Sequence, residues 1–120
     1  MLTSRRKSQS ETFNDGIINI LRATDGVIIE MIQTEINFGN RTYGVKRFFE
    51  ADVSGSKIDR MISVPINDCI NRKNIIEVKN FSNGMTELYE IVMIQHKYDT
   101  SPPSIYLTLK RSDIEYVDNR

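Results

Sequence analysis

The stretch Tyr89-Glu90-Ile91-Val92-Met93-Ile94-Gln95-His96-Lys97-Tyr98-Asp99-Thr100-Ser101-Pro102-Pro103-Ser104-Ile105-Tyr106-Leu107-Thr108-Leu109-Lys110-Arg111 decides the fold. It contains two runs rich in β-branched and aromatic residues, which fit a pleated surface. Between them lies Asp99-Thr100-Ser101-Pro102-Pro103, a connector stiffened by two prolines. In the second run Ile105, Leu107 and Leu109 alternate with Tyr106, Thr108 and Lys110, which is the period of a strand. Nothing in the stretch is arranged for chemistry, and all of it can build a sheet.

The same signals continue upstream. Asn83-Gly84 separates a short run, Asn74–Asn80, from a long one, Thr86–Tyr98, in which a bulge is expected. Asn-Gly predicts a type I′ hairpin turn with positive φ at both residues. Lys57–Val64 alternates Ile58, Arg60, Ile62 and Val64 against Lys57, Asp59, Met61 and Ser63, and Pro65 ends it by removing a ladder donor. Ile66–Lys73 reads as a loop or one helical turn. Thr42–Val53 reads as a strand, Phe38-Gly39-Asn40-Arg41 as a turn, and Gly16–Arg22 and Val27–Phe38 as strands joined by the hairpin pair Asp25-Gly26. The expected fold is mainly β: a small single-domain antiparallel β-barrel or sandwich over residues 14–111. A mobile N-terminal arm (1–13) and a charged C-terminal tail (112–120) flank it.

Composition narrows the function. A chain of 120 residues suits one domain. Sixteen basic and sixteen acidic residues cancel, so no global field steers the chain onto nucleic acid or an acidic membrane. The lone Cys69 cannot form an internal disulfide and is expected as a small, partly buried hydrophobe. The N-terminus has no apolar h-region, so neither a signal peptide nor an oxidising compartment is expected. His96, the one histidine, falls on the strand face of Leu88, Val92 and Ile94 and reads as structural. Glu87 and Glu90 point to opposite faces of one strand and cannot share a proton. With no phosphate loop or nucleophile elbow, no catalytic, metal or cofactor site is expected, and the chain does not read as an enzyme.

The remaining candidates are surfaces. Arg41, Tyr43, Lys46, Arg47, Phe48 and Phe49 interleave bases with aromatics, which suits either single-stranded nucleic acid or a protein interface. Arg60 sits between Ile58 and Ile62 and needs a carboxylate, within the chain or across an interface. Together with Tyr98, Pro102 and Pro103, the residues Arg47, Phe48 and Arg60 form the candidate interface set.

Several of these segments, in order, resemble the head-tail adaptor or head-closure (stopper) proteins of tailed bacteriophages of Gram-positive hosts. Thr12-Phe13-Asn14-Asp15-Gly16-Ile17-Ile18 is similar to that family's opening motif. Arg41-Thr42-Tyr43-Gly44-Val45-Lys46-Arg47-Phe48-Phe49-Glu50-Ala51 is similar to its central strand, and Ile58-Asp59-Arg60-Met61-Ile62-Ser63-Val64-Pro65 to the next. Tyr89–Asp99, Pro102-Pro103 and Leu107–Arg111 resemble its C-terminal hairpin, whereas 66–80 departs from the pattern. The resemblance implies a non-enzymatic virion component at the head-tail interface, assembled in the host cytoplasm. It implies a homo-oligomeric ring at the portal vertex that retains packaged DNA and offers a docking surface to the tail. Implied partners are further copies of the chain, a portal or adaptor protein and tail proteins, with DNA passing through without sequence-specific binding. No cofactor or membrane is implied. A channel-closing loop is a family expectation, assigned here to Phe38, Gly39, Asn40 and Arg41. The alternatives are a tail-side joining or tail terminator protein, and a small nucleic-acid-binding β-barrel.

Overall fold

Six strands pair edge to edge until the last meets the first. The computed structural model describes residues 9–10, 12–42, 58–112 and 116–118. In chain order the strands are β1 (Gln9–Ser10), β2 (Gly16–Thr24), β3 (Val27–Arg41), β4 (Arg60–Pro65), β5 (Ile75–Asn80), β6 (Thr86–Lys97), β7 (Thr100–Ser101), β8 (Ser104–Arg111) and β9 (Val117–Asp118). The sheet runs β2-β5-β6-β8-β4-β3, and β3 returns to β2, closing a ring in which every pairing is antiparallel. No helix occurs among the described residues, and none is long and apolar enough to cross a membrane.

The alternation seen in sequence sets the interior. Directly paired Ile20, Ile76 and Tyr89 point inward with Ile18, Val78, Phe38, Ile62, Val64, Ile105, Leu107 and Leu109, and all are buried. Each large aliphatic side chain removed from water contributes about 2 kcal/mol. The neighbours of the inward set, Leu21, Ile75 and Leu88, must face outward, because strand side chains alternate. Yet Leu21 and Ile75 are buried too. With Ile28, Ala23 and Tyr116 they form a second apolar cluster on the outside of the ring.

The register shifts three times between β2 and β3 and once between β6 and β8, and two of these shifts place named residues. Ile18 pairs with Ile36 but Ile20 with Gln33, so Thr34 and Glu35 both oppose Asn19. Glu35 takes φ +56°, and its N–H donates to Asn19 Oδ1 at 2.9 Å. Asn19 Nδ2 in turn donates to Glu77 Oε1 at 2.9 Å, which ties the bulge to β5. On β6, Ile91 pairs with Leu109 and Met93 with Thr108, leaving Val92 as the extra residue of the expected bulge. The bulge puts Leu88 outside and Ile94 inside, so His96 does not share one face with Leu88, Val92 and Ile94. It is exposed at the strand end and stacks on Tyr98, centroid to centroid 6.2 Å.

The turns at Asp25-Gly26, at 66–74 and at Asn83-Gly84 fall near their expected places. Asp25 (φ 52°) and Gly26 (φ 80°) make the left-handed pair of the β2–β3 hairpin. Residues 66–74 form turns held by asparagine side chains: Asn67 Oδ1 accepts from Cys69 N–H, and Asn74 Oδ1 from Asn71 N–H. Cys69 is exposed here, not partly buried, because its neighbour Ile70 takes the place against the core.

The β5–β6 hairpin is present with a correction. Gly84 has φ +68°, whereas Asn83 is not left-handed; its Oδ1 instead accepts from Met85 N–H at 2.8 Å. Gly84 N–H closes the turn on Asn80 O at 2.8 Å. Nothing lies within 4 Å of a Cβ built on Gly84, so the cost of a side chain there is conformational alone. Gly84→Val is expected to lose about 1 to 3 kcal/mol. An unchanged melting temperature would exclude a left-handed Gly84.

Phe38–Arg41 form no turn. They complete β3, with Gly39, Asn40 and Arg41 paired to Ser63, Ile62 and Met61 of β4, and Phe38 is fully buried. Gly39 is in this strand because a Cβ there would collide with Thr12 O and stand 2.6 Å from the Arg41 guanidinium. The strand expected over Thr42–Val53 falls, from residue 43 onward, outside the described residues. The expected arm and tail are in part docked. Gln9 and Ser10 pair in parallel with Thr100 and Ser101, and Val117 and Asp118 pair with Val27 and Ile28.

Candidate functional site

A cluster of polar side chains gathers at one end of the ring. β2 and β4 begin there, β3 and β8 finish there, and the β5–β6 turn caps it. Asp15, from the Asn-Asp-Gly turn, joins three elements. Its N–H donates to Phe38 O at 3.0 Å, its Oδ2 accepts from Asn40 N–H at 2.7 Å, and its carbonyl accepts from Phe81 N–H at 3.0 Å.

Arg60 lies at the centre of this end. Its guanidinium donates to Asn80 Oδ1 at 3.0 Å and to Asn40 Oδ1, and stands 3.7 Å from Glu87 Oε1. It also sits over the rings of Phe38 (5.4 Å) and Tyr89 (5.7 Å). The Arg60 and Glu87 side chains are both 18% exposed, so the charges are largely withdrawn from water and need these partners. Glu87 also takes Arg111 at 3.4 Å and accepts from Tyr89 Oη at 2.9 Å. Asp59 completes the arrangement by accepting from the Arg111 N–H, while its own N–H donates to Leu109 O. The carboxylate that Arg60 requires is therefore supplied within the chain.

Burial raises the Tyr89 phenol above its ordinary value of 10.0; the neighbouring Arg60 opposes this and the bond to Glu87 adds to it. A raised folded-state pKa favours the protonated phenol. Its contribution is complete below the unfolded value near 10 and is lost as pH rises through the raised one. Urea midpoints are therefore expected to fall as pH rises above the unfolded value near 10, and to fall less in Tyr89→Phe. Parallel declines in the two proteins would contradict the assignment.

The candidate interface residues separate. Arg60 belongs to the polar end, beside Phe38, Asn40 and Arg41. Tyr98, Pro102 and Pro103 lie at the opposite end, where the β6–β8 connection emerges; Tyr98 is 70% exposed and both prolines are exposed. Arg47 and Phe48 lie outside the described residues. Of the assigned channel loop, Phe38 is core and the other three are strand residues, because β4 pairs with them and leaves no loop to swing. Asn40, Asn80 and Glu87 were not singled out as partners of Arg60. They come from three other strands, and no local pattern marks them.

Among the described residues no group of three His, Cys, Asp or Glu is placed to hold a metal. What the polar end does chemically is lock the ends of five strands, β3, β4, β5, β6 and β8, with charge-assisted bonds. No family model matches the chain, and neither a curated protein nor a solved structure matches it.

Proposed function

We propose that the chain is a structural, non-enzymatic virion protein of a tailed phage or prophage. In this reading the closed sheet is a small β-barrel. Copies of it form a ring at the portal vertex that retains packaged DNA and receives the tail. The observation that carries this reading is the convergence of separate sequence motifs on one structural joint. Asn14-Asp15-Gly16, Ile58-Asp59-Arg60 and Lys110-Arg111, which carry much of the family resemblance, meet at the polar end and are spent on holding strands together. Motifs used this way favour a rigid building block over a site of reaction. A near-neutral chain also suits a channel through which DNA slides, because a strongly basic lumen would retain it.

The test is electron microscopy of particles made by a phage lacking this gene. Heads that fill and then lose DNA, beside complete free tails, are the expected result. Stable full heads with tails of abnormal length would move the protein to the tail side, and normal virions would refute a role in assembly.

A further inference from the structure

The outward apolar cluster is the part of the molecule that the ring does not need. Leu21, Ile28 and Ile75 are 0%, 2% and 6% exposed although two of them face away from the interior. Tyr116 and the outward Leu88 pack against them. The chain leaves the ladder at Ser112, whose N–H donates to Leu88 O at 3.1 Å, and returns at Val117, whose N–H donates to Gly26 O at 2.9 Å. The returning segment holds the sheet through a two-residue parallel bridge, and Val117 remains 63% exposed. An open depression of about 400 Å³, lined in part by Arg72, Lys73 and Glu90, lies beside the Tyr116 ring and leaves it room to withdraw.

We propose that this cluster is a socket for the C-terminal segment Tyr116–Asp118 of a second copy of the chain, which takes the place of the chain's own. All six ring strands are complete without the segment, so releasing it opens no ladder of the ring. Every copy carries both socket and segment, so an exchanged pair makes the same contacts as an unexchanged one and costs nothing in contact energy. A bridge this short with so exposed a valine has a low free energy of local opening. In a free subunit the chain's own segment prevails, because its short tether gives it an effective concentration on the order of mM. Subunits held side by side meet that concentration from a neighbour, and exchange then links them. The inference rests on the homo-oligomeric reading above and adds which surface joins the copies.

The test uses the full chain carrying Cys69→Ser, so that only introduced thiols react. One preparation carries Val27→Cys and the other Val117→Cys, two positions that face each other in the bridge. Melting curves first establish that both fold. The two are mixed, concentrated and oxidised, with assembly followed by sedimentation. A covalent heterodimer that appears only in the associated fraction is the expected result. Association without the heterodimer, with a chain carrying both cysteines closing only on itself, overturns the exchange and leaves the ring reading standing. A mixture that stays monomeric at every concentration overturns both.

Discussion

Replacing Gly16 with alanine is expected to destabilise the protein by about 3 kcal/mol or more, the upper end for overpacking a well-packed site. A Cβ at Gly16 would run into the Lys79 carbonyl oxygen and stand 2.5 and 2.8 Å from two carbons of the Phe38 ring. The first obstacle is backbone engaged in the β2–β5 ladder, where Ile17 and Lys79 pair, and the second is a fully buried aromatic. Neither is the free end of a flexible chain, so neither can step aside. Gly26→Ala is the control. Nothing lies within 4 Å of its Cβ, and its φ of 80° carries only the conformational penalty, about 1 kcal/mol. Thermal unfolding of the two variants side by side checks the argument. Equal losses would mean that the Gly16 contact relaxes.

The second large effect is expected at Arg60. Arg60→Ala strips two asparagine oxygens and one face of Glu87 of their donor and uncovers the rings of Phe38 and Tyr89. Removing one member of a partly buried charged network costs about 2 to 4 kcal/mol. Glu87 keeps Arg111, which is 57% exposed on its side chain and so replaces little of the loss. Arg60→Lys keeps the charge but not the fork that reaches two asparagines at once, and about half the loss is expected to remain. Urea denaturation of Arg60→Ala, Glu87→Gln and the double variant isolates the coupling. A double variant equal to the sum of the singles would show that the pair contributes nothing jointly.

Much of the fold was legible because short strands announce themselves. The alternation of Ile105, Leu107 and Leu109 and the left-handed pair Asp25-Gly26 are local signals, and local signals survive in any fold that uses them. Phe38–Arg41 misled for the opposite reason. Gly39 and Asn40 look like a turn, but glycine stands there because Thr12 crosses the strand closely, a contact made across 27 positions of sequence. The outer cluster was hidden as well. Leu21 and Ile75 break strict alternation by being apolar on the outward side, and the residue that covers them, Tyr116, sits in a segment whose charged neighbours read as a tail. At the polar end only Arg60 was visible as a residue in need of a partner. Which residues answer that need depends on which strands lie side by side, and that is set by the closed order of the ring.

That order has a consequence for synthesis. β8, the last strand of the ring to be translated, pairs with both β4 and β6. While it is still within the ribosome the nascent chain can form the β2–β3 hairpin, but the ring stays open on two unsatisfied edges. Closure therefore waits until β8 has emerged, in a single late step dominated by contacts distant in sequence, which places folding in the slower class of small proteins, about milliseconds to seconds. Until then the exposed edges of β4 and β6 are open to wrong partners, and chains translated side by side from one message would compete for them.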